Sequence, residues 1–298
     1  MSSESVIPVA KRGAAAGRLT VFAELIKARL TLMVLVTTAV GFYMGAATVD
    51  FALLFHTLLG TVLVASGAQS LNQYLEKDYD AKMQRTAGRP IPAGQIRPEI
   101  ALLYGGAASV MGLIWLAMAV NPTTSVIGAV TLVSYVLIYT PLKRVTEHNT
   151  LVGAIPGALP PLMGWAAAQN NIAVEGWTLV AILFFWQLPH FFAISWMYRD
   201  EYAKAGFAML SVEDETGERT SRQSVHYALA LLPFSLLPAI FQMTGPWYFA
   251  GAIALGLLFL AGAINFARNL TVASARRLFY YSILYLPLLL GLMVVARA

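Results

Sequence analysis

The sequence predicts an all-α, polytopic membrane protein with nine transmembrane helices, and three observations carry this. Of its 298 residues 58% are hydrophobic and only 12% charged, with mean hydropathy +0.66, a balance that no soluble fold needs. Nine apolar stretches are each long enough to span a bilayer, over about 30–48, 52–75, 99–119, 124–141, 151–168, 177–198, 225–243, 247–267 and 279–296. With the N-terminus in the cytoplasm, 19 of the 20 Lys and Arg residues fall on cytoplasmic segments and only Arg297 lies outside. The excess of positive charge is therefore a topology signal and an anion-attracting face, with no nucleic-acid footprint. The chain contains no cysteine, which excludes disulfides, thiolate metal sites and Cys nucleophiles.

Residues 1–29 are polar, basic and rich in Ala and Gly, and read as a loosely ordered cytoplasmic arm. The apolar segment after them is too long for the h-region of a signal peptide and lacks a small-x-small site, so it is expected to stay as the first span. The second span ends in the most informative stretch, Asn72-Gln-Tyr-Leu-Glu76-Lys-Asp78-Tyr-Asp80. Asn72, Glu76 and Asp80 follow i, i+4, i+8 spacing and line one helix face. Carboxylates at a membrane span are costly without a partner. Three oxygen donors in a row suit Mg²⁺, which takes one or two carboxylates, substrate phosphates and waters. Asp78 lies off that face and is expected to join only if the helix end frays.

The segment after this span carries Arg85 and Arg89, and its Gly88-Arg-Pro-Ile-Pro92 run cannot be helical. It reads as a shaped loop over the site. Lys143 and Arg144 close the fourth span on the same side. Arginine recognises phosphate oxygens bidentately, so acids for a metal beside arginines for oxygens read as a diphosphate site. The fifth span holds Gly153, Gly157 and Gly164 among prolines, which predicts a broken helix with close neighbours. The sixth carries Trp186-Gln-Leu-Pro-His190, a mid-span histidine after a proline. The bland expectation is a bond to a backbone carbonyl freed by Pro189; the functional one is a haem-iron ligand or substrate contact.

Beyond the sixth span lie Asp200, Glu201 and Lys204. Tyr198-Arg-Asp-Glu-Tyr-Ala-Lys204 shares a basic-Asp-x-x-Ala-Lys core with Glu76–Lys82, at an offset of 122 residues. Equal topology around both suggests two related halves facing one cavity. The stretch Glu213–Glu218 reads as a solvated acidic loop. No Gly-rich phosphate loop, Ser-His-Asp arrangement or zinc spacing is present.

Asn72-x₃-Glu76-x₃-Asp80, followed by Arg85-Thr-x-x-Arg89-Pro and Gly94, resembles the first aspartate-rich motif of the UbiA-type intramembrane prenyltransferases. The likeness runs from about Lys27 to residue 295. Lys27-Ala-Arg29-Leu-Thr, Tyr139-Thr-Pro-Leu-Lys143-Arg144, Gly157-x-x-Pro160-Pro161-x-x-Gly164-Trp165 and Pro189-His190-Phe draw it towards the branch that farnesylates haem. The resemblance implies one transmembrane prenyltransferase domain over 30–298, with nine helices around a central cavity. It implies Mg²⁺ held by Asn72, Glu76, Asp80 and Asp200, with Glu201 in the second motif. Arg85, Arg89, Lys143, Arg144, Lys204 and His190 are expected to contact substrate. Farnesyl diphosphate and haem b would be those substrates, in the lipid bilayer of a bacterial inner membrane. A downstream haem-modifying enzyme or a terminal oxidase assembly would be the partner. The chain departs from the family at Gln73 and Glu76, and at Tyr198 and Tyr202, where quinone-pathway members carry Asp. An aromatic prenyltransferase of quinone biosynthesis and, from another class, an organic-anion secondary transporter remain as alternatives.

Overall fold

A computed structural model describes residues 17–298, and within them nine helices are long and apolar enough to cross a membrane. The chain runs α1 (Arg18–Leu25), α2 (Ala28–Gly45), α3 (Phe51–Asp80), α4 (Pro98–Ala119) and α5 (Pro122–Val133). A π-helical segment (Ser134–Tyr139) and the short α6 (Thr140–Leu142) complete the fourth span. Beyond it come α7 (Asn149–Ala158), α8 (Pro160–Gln169), α9 (Val174–Met197), α10 (Arg199–Ala205), α11 (Leu210–Glu213), α12 (Glu218–Ile240), α13 (Pro246–Asn269) and α14 (Val272–Val295).

Close helix contacts depend on missing side chains. A Cβ at Gly41 of α2 would strike the Pro161 carbonyl of α8, and one at Gly164 would strike the Thr38 carbonyl. In lipid, where apolar faces gain little by leaving the solvent, such backbone proximity is what holds neighbouring spans. Gly60 and Gly67 of α3 and Gly105 and Gly112 of α4 do the same for that pair. The fifth span breaks at Leu159, between α7 and α8, as its prolines predict. Around α9, α13 and α14 a second body of core forms from Leu179, Ile182, Phe259, Leu289 and Met293. Caps fix the helix starts: Asp50 accepts from the Ala52 and Leu53 amides at 2.9 and 3.0 Å, and Asn121 accepts from the Thr124 amide at 2.8 Å.

Two expectations change and one is met. Residues 1–16 of the expected arm lie outside the described residues, but 18–25 form α1, with Leu25 buried. Gln73 explains this: its Nε2 donates to the Glu24 and Leu25 carbonyls at 2.9 and 2.8 Å, binding the end of α1 to α3. Secondly, α3 continues unfrayed to Asp80, so Asp78 projects away, its side chain 80% exposed. Thirdly, the acidic stretch 213–218 is no plain solvated loop. Asp214 is buried and caps α12, accepting from the Gly217 amide at 3.2 Å, the Thr220 amide at 2.7 Å and the Thr220 hydroxyl at 2.9 Å.

Candidate active site

Asn72, Glu76 and Asp80 occupy one face of α3, all buried, at the basic end of the bundle. Each of the three oxygen donors meets a cation from a different element. Lys27, at the α1–α2 corner, donates to Asn72 Oδ1 at 2.8 Å. Lys143, just past α6, donates to Glu76 Oε1 at 2.7 Å. Arg89, in the loop after α3, donates to Asp80 Oδ2 at 2.6 Å. Buried charge is tolerable only when paired and hydrogen-bonded, and this row meets that requirement.

The π-helical turn brings the fourth span into register with this row. A π turn interrupts the regular i→i−4 ladder and re-aims the residues beyond it. Thr140 Oγ1 donates to the Tyr135 carbonyl at 2.8 Å and accepts from Asn72 Nδ2 at 3.1 Å. Tyr135 donates its hydroxyl to Gln69 Oε1 at 3.0 Å, and Lys143 Nζ stands 4.6 Å from the Tyr139 ring centre. Burial lowers Lys143, but the Glu76 carboxylate beside it prevails and holds the ammonium above the usual lysine range. Burial, and next the Arg89 guanidinium, push Lys27 well below that range. Three cations face two carboxylates here, so the face is short of negative charge.

The loop after α3 folds back across this end. Thr86 Oγ1 donates to the Asp80 carbonyl at 2.8 Å, and Met83 is buried with Ala205, Phe207 and Met209. Glu201 Oε2 accepts from the Arg85 amide at 3.1 Å. Arg85 Nη2 donates to the Tyr202 hydroxyl at 3.0 Å, and its guanidinium lies over the Tyr198 and Tyr202 rings at 5.1 and 5.7 Å. The two tyrosines that stand where the quinone branch has carboxylates therefore clamp an arginine. Asn149 Nδ2 donates to the Ala208 carbonyl at 2.6 Å, and the Ala208 amide to the Lys143 carbonyl at 2.8 Å, tying this loop to the Lys143 loop.

The structure does not bring every expected residue to the row. Asp200 has a 90% exposed side chain and a loose contact with Arg199 at 3.9 Å. Lys204 is exposed on α10. Arg144 donates to the Leu75 carbonyl at 2.8 Å and covers the Tyr79 ring at 4.0 Å. His190 lies on the side of α9 that meets α14. Its Nδ1 pairs with Ser282 Oγ at 2.7 Å, and its ring stacks between Trp186 and Phe279 at 5.2 and 5.0 Å. The expected bond to a carbonyl freed by Pro189 is replaced by this hydroxyl.

Two carboxylates and an amide, buried on one face, fit a hard divalent ion that retains waters and takes substrate oxygens. Among the described residues no three His, Asp or Glu side chains converge on a common point. Lys27, Thr140, Tyr135 and Gln73 enter the site although no chemical pattern in the sequence marks them as site residues. Their signals there are that Lys27 and the Tyr139–Arg144 segment belong to motifs of the resembled family, and that Gln73 departs from one.

The chain is similar to known proteins over most of its length. Residues 34–286 match the UbiA prenyltransferase family. The chain is 46% identical over 286 residues to the "Protoheme IX farnesyltransferase" of Solibacter usitatus (strain Ellin6076), covering 93% of this chain and 98% of that one. It is 43% identical to the protein of that name from Myxococcus xanthus (strain DK1622), covering 92% and 93%. Among solved structures, the digeranylgeranylglyceryl phosphate synthase superposes with TM-score 0.79 at 15% identity, covering 93% of this chain and 98% of that one. A UbiA homolog from Archaeoglobus fulgidus bound to GPP and Mg²⁺ superposes with TM-score 0.66 at 16% identity, covering 92% and 99%. These two likenesses concern the fold.

Proposed function

This chain belongs to the UbiA prenyltransferase family, and from that premise we propose that it transfers the farnesyl group of farnesyl diphosphate to a vinyl group of haem b, giving haem O and diphosphate. The row of oxygen donors faced by Lys27, Lys143 and Arg89 carries the reading, together with relatives named for this reaction. Asn72, Glu76 and Asp80 would hold Mg²⁺, which when bound supplies positive charge to the diphosphate oxygens. Arg89 and Lys143 turn their donors from the carboxylates to those oxygens and stabilise the charge that develops as the C–O bond breaks. Arg85, clamped over the two tyrosines, closes the same end, and Glu201 holds its backbone.

The electron pair of the breaking bond leaves on diphosphate, and an allylic cation remains. The vinyl π pair forms the new C–C bond, and the positive charge passes to the carbon beside the porphyrin. Water adds there and loses a proton, leaving a hydroxyethylfarnesyl group. No protein nucleophile is required, and apolar spans exclude water until that last step. Haem b is a substrate. Mass spectrometry of haems from membranes expressing the chain tests the reading: a new haem heavier by a farnesyl and a hydroxyl group is expected, and unchanged haem b would overturn it.

The asymmetry of Lys and Arg supports a cytoplasmic N-terminus and an external C-terminus in a bacterial inner membrane. The product would pass to a downstream haem-modifying enzyme or to terminal oxidase assembly. Arg89→Lys exchanges a planar fork for a point charge, and the expected loss of farnesyl diphosphate affinity is roughly 1–3 kcal/mol. Equal affinity in the variant would leave Arg89 a topology residue.

His190 supports a role in holding the porphyrin, because it stands half-buried between two aromatic faces on the sixth span. His190→Ala is expected to shift the haem absorption bands and lower activity, with farnesyl diphosphate binding little changed. An unaltered haem spectrum in well-folded protein would remove the ligand role. Parallel loss of thermal stability and of both substrates would make it structural.

A further inference from the structure

Ser282 is fully buried in the middle of α14, and three hydrogen bonds meet on it. Its Oγ pairs with His190 Nδ1 of α9 at 2.7 Å. The same Oγ donates to the Phe279 carbonyl at 2.5 Å, and the Ser282 carbonyl accepts from Trp186 Nε1 at 2.8 Å. Trp186 and Phe279 are the two rings that enclose the His190 imidazole, with interplanar angles of 25° and 28°. One residue therefore ties down the imidazole and both of its walls. The near-parallel walls fix the ring plane, and the hydroxyl fixes which ring nitrogen faces α14.

A hydroxyl carries one hydrogen. Spent on the Phe279 carbonyl, it leaves only lone pairs for His190, so Nδ1 supplies the hydrogen of that bond. A neutral imidazole with its hydrogen on Nδ1 carries its lone pair on Nε2. Nε2 has no hydrogen-bond partner among the described residues, yet it is not sealed in and remains accessible. An unused polar atom within a span is costly and marks a place where a ligand can bind. Porphyrin iron takes such a nitrogen as an axial ligand, and ligating histidines are aimed by a partner on the other ring nitrogen.

We propose that Ser282 is a positioning residue for the porphyrin substrate: its hydroxyl accepts from His190 Nδ1–H and so presents the Nε2 lone pair to the haem iron. This rests on the reading above that His190 holds the porphyrin; it names the atom that does so and the residue that aims it. Because Trp186 and Phe279 cover the faces of the ring, haem meets the imidazole at its edge.

Ser282→Ala removes the hydroxyl alone, since the carbonyl that holds Trp186 belongs to the backbone. Ser282→Thr keeps a hydroxyl. The full chain in lipid nanodiscs, with histidine labelled at its ring nitrogens, is first read by NMR without substrate. The His190 resonances are those lost in His190→Gln. A protonated Nδ1 and a bare Nε2 are expected. The opposite tautomer in the unaltered protein would overturn the proposal before any haem is added.

Haem b is then titrated and its absorption bands recorded, alongside binding of inorganic pyrophosphate with Mg²⁺ and thermal unfolding. Ser282→Ala is expected to weaken haem b about tenfold or more and to shift its bands, with pyrophosphate affinity and unfolding temperature little changed. Ser282→Thr should restore both haem properties; a folded Ser282→Thr protein with the haem affinity of Ser282→Ala would count against the proposal and overturn it. Haem bands that ignore His190→Gln would overturn the porphyrin role of His190, and the proposal with it. Bands that respond to His190→Gln but ignore Ser282→Ala would overturn the proposal alone. Equal losses of haem, pyrophosphate and thermal stability in Ser282→Ala would do the same, leaving Ser282 a packing residue.

Discussion

Asp80→Ala is expected to cost prenyl transfer roughly a hundred- to a thousandfold, the scale seen when a group aimed at developing charge is removed. The substitution has two effects at once. It deletes an oxygen donor from the buried face of α3, and it releases Arg89, whose guanidinium that oxygen orients at 2.6 Å. The fold should survive, because Arg89 has a 23% exposed side chain and can rehydrate. Asn72→Ala is expected to act in the same direction, since it severs both Lys27 and Thr140 from α3. Initial rates with haem b and farnesyl diphosphate, normalised to folded protein in the membrane, provide the check. Wild-type turnover in either variant would remove this face from the chemistry. Chelator should silence the unaltered protein and Mg²⁺ should restore it; full activity in excess chelator would reject a divalent ion.

Lys143→Met should damage stability more than any other single change at the site. The Glu76 side chain is 3% exposed and its partner 16%. Removing the ammonium leaves a buried carboxylate unmatched, a loss of about 3–5 kcal/mol where the pair is well buried. Lys27 and Arg89 lie nearby but are engaged with Asn72 and Asp80. The double variant Lys143→Met with Glu76→Gln should recover most of the loss, since a neutral amide tolerates the site, and yet remain inactive. Thermal unfolding in detergent distinguishes the cases. A single variant as stable as the starting protein would show that water or another cation reaches Glu76.

The features legible in the sequence were those with short-range signatures. Length and hydropathy located nine spans, and i, i+4, i+8 spacing placed Asn72, Glu76 and Asp80 on one face. Arg89 and Lys143 followed from charge on the same side. The hidden features depend on contacts far apart in the chain or on unusual backbone. Lys27 meets Asn72 across 45 residues, through a left-handed corner that local preferences disfavour. Thr140 reaches Asn72 across 68 residues. Asp214 read as one acid among several, because only tertiary folding shows that α12 begins beside it. Asp200 and Lys204 share a local pattern with the first motif, but pattern fixes no direction, and both side chains project outward.

The π turn over Ser134–Tyr139 is an extra residue that the fourth span has absorbed without leaving the membrane. Winding these six residues as an ordinary α-helix, with none removed, would rotate everything beyond by about 100°. Thr140 and Lys143 would then swing off α3, though no side chain at the site had changed identity. All nine spans would remain, and so would every residue of the motifs. The bundle would keep its outline and lose the Lys143–Glu76 and Thr140–Asn72 contacts together. Activity in this chain is therefore exposed to the winding of one span as well as to changes of residue. Two chains that match at every site position can differ in function by the winding of a short segment between them.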